Sequence, residues 1–95
     1  MTKMKYIKVY EKFINADKDE THTVEIKDMK FVPQNIVIEV GDTIKWINEE
    51  GEHNVNGKQS HERNKDNPES FGNEVGKDWT YSHTFTKPGK YTYHC

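Results

Sequence analysis

Leucine is absent from this chain and alanine occurs once, at Ala16. The best apolar helix formers are therefore missing, which excludes a helical bundle. The apolar residues present are chiefly Ile, Val, Phe, Tyr and Trp, which suit a pleated, half-buried surface, so the composition predicts an all-β domain. One cysteine, Cys95, excludes an internal disulfide and a four-cysteine zinc site. A large charge of one sign is also lacking. The formal net charge of -2 points to neither nucleic acid nor an anionic membrane as partner. Hydrophobic residues make up only 32% of the chain, below the globular norm, so a thin core is expected. The length suits one domain near the lower end of what folds alone. No apolar run is long enough for a membrane span. Residues 1–5 have the basic character of a signal's first region, but no apolar stretch follows. The chain is then cytoplasmic as written, or a signal has been removed or lost.

What is present is alternation. Tyr91, Tyr93 and Cys95 share one face of a terminal strand, and Lys90, Thr92 and His94 share the other. The two tyrosines mark the first face as buried, so Cys95 is expected at the last inward position, where strand gives way to loop. Residues 79–86 alternate as well, with Trp79, Tyr81, His83 and Phe85 opposing Thr80, Ser82, Thr84 and Thr86. Residues 23–26, 35–40 and 43–48 read as strands. Ile36, Ile38 and Val40 share a face, and apolar Val37 on the other suggests cover on both sides. Gly41-Asp42 is a turn, although the strands flanking it are expected to belong to different sheets. Six or so short strands between turn signals make a sandwich pattern. Residues 56–78 form a long polar loop with one large apolar anchor, Phe71, and a loop of that length is either functional or contains short elements. Tyr6, Ile7, Tyr10, Phe13 and Ile14 fit a helical face, while Tyr6-Ile7-Lys8-Val9-Tyr10 also reads as a strand. A short helix over 6–14 or an attached arm is the preferred reading, so residues 1–20 are expected to be an extension or arm ahead of a domain at 21–95.

His53 and Cys95 each close a strand at a turn. Strand ends cluster at the poles of a sandwich, so the two can meet. Such a pair makes either a metal site or a nucleophile with its base, and nothing beside Cys95 offers the second an oxyanion hole. Glu49, Glu50 and Glu52 read as a solvated turn, or alternatively as a docking patch for a basic partner. His22 and His83 read as structural. His94 reads as a surface or cross-strand residue, and His61 as a loop residue too unanchored to ligate.

Several ordered motifs resemble the small blue copper proteins, the cupredoxins of the plastocyanin, pseudoazurin and amicyanin kind. These motifs are Phe31-Val32-Pro33, residues 36–40 with Gly41-Asp42, residues 44–48, His53-Asn54-Val55, and residues 85–95 with Pro88-Gly89 and Tyr93-His94-Cys95. The resemblance implies a Greek-key β-sandwich that shuttles single electrons, bound to copper and located outside the cytoplasm, in the periplasm or beyond. Its members act as monomers that dock transiently on redox partners, and they are not enzymes. His53 would be the first copper ligand and Cys95 the thiolate ligand. Asn54 would steady the sulfur and tie the ligand loops. In the family a second His, an axial Met and a closing strand follow the cysteine. The present chain therefore reads as a fragment with two of the four donors, an open edge at its last strand, and weak copper binding. The alternatives are a copper domain of a larger oxidase or reductase, and a metal-free binding sandwich.

Overall fold

A computed structural model describes residues 5–11 and 19–95. The strands are β1 (Lys5–Tyr10), β2 (Thr21–Lys27), β3 (Lys30–Val32), β4 (Asn35–Glu39), β5 (Thr43–Asn48), β6 (Thr80–Thr84) and β7 (Gly89–Tyr93), with one 3₁₀ turn at Glu62–Asn64. They form two sheets, ordered β4-β1-β7 and β3-β2-β5-β6, packed as an all-β sandwich. As expected, the strands on either side of Gly41-Asp42 lie in different sheets.

The expected helix over residues 6–14 is not formed where the structure describes it. Lys5–Tyr10 is a strand, central in its sheet, parallel to β4 and antiparallel to β7. Ile7 and Val9 are fully buried, while Tyr6 and Tyr10 face outward. The helical spacing was produced by these two outward tyrosines, whose rings are covered by Lys90 and Lys8 ammonium groups at 4.5 and 5.5 Å. Phe13 and Ile14 lie outside the described residues. Val37, expected under cover, is 62% exposed.

Aromatic rings fill the space between the sheets. Trp46 stacks on Phe71 at 5.6 Å and meets Tyr93 edge-on. Phe31 packs edge-on against Tyr93 at 4.9 Å, and Phe85 against Tyr91 at 5.0 Å. Phe71 anchors the long loop as expected, and the loop approaches it closely. A Cβ on Gly57 would lie 2.3 Å from the Phe71 ring, so only glycine fits there.

The edge of β7 expected to be open is closed by this loop. Thr92 donates its N–H to Asn67 Oδ1 at 2.8 Å, and its carbonyl accepts from Asn67 Nδ2 at 2.9 Å. One position beyond β7, His94 exchanges main-chain hydrogen bonds with Asn56 at 2.8 and 3.1 Å. Asn64, fully buried, ties the loop to the Asn56 carbonyl at 2.9 Å.

Two carboxylates lock the turns at the other pole. Asp42 accepts from the Glu20 and Glu39 N–H groups at 3.0 and 3.1 Å and from the His22 ring at 2.9 Å. Glu69 accepts from the Thr86 and Lys87 N–H groups, the Thr86 hydroxyl and the His83 ring, all between 2.8 and 3.0 Å. The Tyr91 hydroxyl donates to the Lys87 carbonyl at 2.6 Å across the same turn.

Burial alone would push the carboxyls of Asp42 and Glu69 up. The hydrogen bonds outweigh it and hold both below the ordinary range. A carboxyl depressed in the folded state contributes stability that is complete above its unfolded value, near pH 4, and that drains as pH falls through the lower folded value. Melting temperature should therefore drop on the acid side, and the drop should be shallower in Glu69→Gln, as scanning fluorimetry across pH will read. We propose that the folding unit begins at or before Lys5. Ile7→Ala should then cost about 2–5 kcal/mol in urea unfolding, the usual range for emptying a core aliphatic site. A detached arm would lose almost nothing.

Candidate metal centre

His53 follows β5 after the acidic turn at residues 49–52, and Cys95 follows β7. The structure brings them together, with Cys95 Sγ 3.8 Å from His53 Nδ1. Cys95 is half-buried against the aromatic core on the Tyr91–Tyr93 side. Alternation along β7 places it there, as the sequence predicts. His53 is 5% exposed, and its Nε2 is buried without a hydrogen-bond partner among the described residues.

The main chain of His53 is held on both sides. Its N–H donates to the Gly76 carbonyl and its carbonyl accepts from the Gly76 N–H, both at 3.1 Å. The Trp79 indole N–H is shared between the carbonyls of His53 and Gly76, at 2.9 and 3.0 Å. Asn48, 4% exposed, donates to the carbonyls of Gly51 and Gly76 at 2.9 and 3.2 Å. Gly51 has φ +74, and a Cβ there would sit 3.0 Å from His53 Nε2. Asn54 reaches the Asn73 carbonyl at 3.5 Å, a long contact. The shorter tie is Asn73 Oδ1, which accepts the Val55 N–H at 2.8 Å.

The remaining histidines lie elsewhere. His94 is on the face opposite Cys95, as alternation requires. It is 6% exposed under the long loop, not at the surface, because the loop crosses β7 there. The His61 ring packs on it edge-on at 4.4 Å, and His61 Nδ1 accepts the Arg63 N–H at 3.1 Å. Burial lowers the His94 imidazole, aided by His61 and the Arg63 charge. His22 and His83 serve the turn carboxylates described above.

Among the described residues, three donor side chains converge at Glu20, His22 and Asp42. Asp42 is occupied there by main-chain N–H groups, so that cluster reads as a turn lock. In the acidic turn, Glu50 caps the Asp28 N–H. The Glu49 carboxyl is pushed up by a shared hydrogen bond with Glu25, by desolvation and by the Glu25 charge. Asn48, Asn73 and Trp79 were not legible as supports for the site. The one available signal was asparagine closing a strand ahead of a Gly-containing turn, a residue type that hydrogen-bonds nearby main chain.

A β-sandwich that brings an imidazole and a thiol together at one pole defines a cupredoxin-type domain. The family model for copper binding proteins of the plastocyanin/azurin family matches residues 18–95. The chain belongs to that family, whose cofactor is copper. Amicyanin from Paracoccus denitrificans is 37% identical over 81 residues, covering 81% of this chain and 57% of that protein. A Cu-containing nitrite reductase from Thermus scotoductus SA-01 superposes with a TM-score of 0.65 at 30% identity, over 79% of this chain and 19% of that one. The chain thus spans little more than half of the amicyanin and about a fifth of the reductase.

Gly51→Ala should cost about 1–2 kcal/mol for the left-handed backbone and should shift the His53 ring resonances. Gly76→Ala is the control: its Cβ would meet only Trp79 Cδ1, at 3.7 Å, and its spectrum should stay near wild type.

Proposed function

We propose that this chain is a blue copper electron carrier, with His53 and Cys95 supplying its nitrogen and sulfur donors. The observation that carries the reading is the approach of Cys95 Sγ to His53 Nδ1 at 3.8 Å. That is long for a strong hydrogen bond. It is short enough that an imidazole nitrogen and a thiolate at these positions could hold one ion between them. Thiolate and imidazole together suit copper better than a hard cation.

Copper, when bound, supplies one-electron chemistry by cycling between Cu(I) and Cu(II). The residues of this chain do the rest. Cys95 presents sulfur from the end of a sheet strand, so the donor is fixed by β7. His53 presents Nδ1 from a main chain pinned at both its N–H and its carbonyl. The aromatic-rich core against which Cys95 packs keeps water from the sulfur's inner side. Asn54 supports the segment that carries His53. Partners dock transiently at this pole, and the protein works as a monomer outside the cytoplasm, in keeping with its family.

A second reading, a copper domain of a larger reductase, is favoured by the likeness to the nitrite reductase. Oxidation of the Cu(I)-loaded protein by nitrite, one electron per ion with two protons taken up and nitric oxide and water released, would select it, and the carrier reading expects none.

Cu(I) competition with a chromophoric chelator tests the site. Uptake should be one ion per chain. It should weaken by more than about 100-fold in Cys95→Ser and in His53→Ala, beyond the roughly 10–100-fold of outer-sphere changes. A metal-free sandwich would show neither uptake nor any copper-dependent change in melting temperature.

A further inference from the structure

A ligating imidazole is ordinarily oriented by a hydrogen bond from its second nitrogen to a carboxylate, carbonyl or water. Among the described residues His53 makes no such bond: its Nε2 is buried with no partner, and Gly51, where an added Cβ would lie 3.0 Å from that atom, offers no side chain. The direction of Nδ1 toward Cys95 must therefore be set from the other end of the side chain, by the backbone that carries it.

That backbone is fixed to an unusual degree. The segment at residues 73–79 runs beside residues 53–55 as a strap. Asn73 exchanges hydrogen bonds with Val55 at 2.8 and 3.0 Å, and Gly76 does the same with His53 at 3.1 Å. Two side chains then clamp the strap. Trp79 Nε1–H bridges the carbonyls of His53 and Gly76, and Asn48 Nδ2 bridges those of Gly51 and Gly76. Asn48 Oδ1 also accepts the Glu50 N–H at 3.3 Å. The turn before His53 and the strap beside it are thereby locked to the end of β5.

We propose that Trp79 and Asn48 are the positioning residues of His53, setting its imidazole through the main chain in place of a hydrogen bond at Nε2. The proposal rests on the copper reading given above. It also assigns a purpose to the end of the long polar loop.

Trp79→Phe is the sharper variant, because it removes a shared donor and orphans no acceptor. The His53 carbonyl keeps the Gly76 N–H, and the Gly76 carbonyl keeps the His53 N–H and Asn48. Asn48→Ala is the second variant. Tyr81→Phe is the control, since it breaks one loop hydrogen bond, from the Gly72 N–H to the tyrosine hydroxyl at 2.8 Å, away from His53. In the copper-free protein, the His53 ring resonances should broaden or shift in both clamp variants and stay in place in the control. Cu(I) affinity, measured well below each variant's melting temperature, should fall about tenfold in both, within the range for outer-sphere partners, and should hold in Tyr81→Phe. Clamp variants that match the control in ring resonances and in affinity overturn the proposal. Wild-type copper uptake insensitive to Cys95→Ser and His53→Ala overturns instead the reading on which it rests. A merely structural role would move melting temperature alone.

Discussion

Thr92 gives both of its main-chain hydrogen-bonding groups to one side chain, the carboxamide of Asn67. An amide side chain has the same donor and acceptor as a peptide unit, so Asn67 does for β7 what a neighbouring strand would do. The rest of the structure depends on this substitution. Because the outer edge of β7 is satisfied, the long polar loop can cross it without stranding main-chain groups. Because the loop crosses there, its far end arrives beside His53. The sulfur of Cys95 and the imidazole of His53 are thus placed by one continuous set of hydrogen bonds, made largely by asparagines.

Asparagine is well suited to this work and poorly visible in a sequence. The alternation of Tyr91, Tyr93 and Cys95 could be read directly, because burial of one sheet face imposes a period of two. The same rule gave residues 79–86, whereas the separation of β4 from β5 into different sheets was expected from how a sandwich is built. At the N-terminal strand alternation competed with a helical spacing, and the preferred helical reading was the wrong one. Tyr6 and Tyr10 are apolar by composition yet lie on the solvent face, and their spacing with Ile7 imitates a helix. Val37 misled in the same way, as an apolar residue left in water.

The meeting of His53 and Cys95 was legible, and the residues that hold His53 were not. His53 and Cys95 stand out because imidazole and thiol are rare, reactive groups at strand ends. Asn48, Asn73, Gly51 and Trp79 act through backbone carbonyls and N–H groups that are distant in sequence, and such pairings leave no periodicity. Asn54, adjacent to His53, drew notice by resemblance, but the firmer hydrogen bond to the ligand segment comes from Asn73.

The place of β1 carries a kinetic consequence. It is the middle strand of its sheet, and its registers join Lys5 to Tyr93 and Val9 to Gly89. Among the described strands, the earliest in sequence is thus completed by the latest. Until β7 emerges, Ile7 and Val9 have only β4 beside them. Pairings this distant in sequence are slow to form, because loop closure precedes the contacts that reward it. β7 must therefore be in place before the sandwich can close, and any intermediate without it leaves one edge of β1 unpaired.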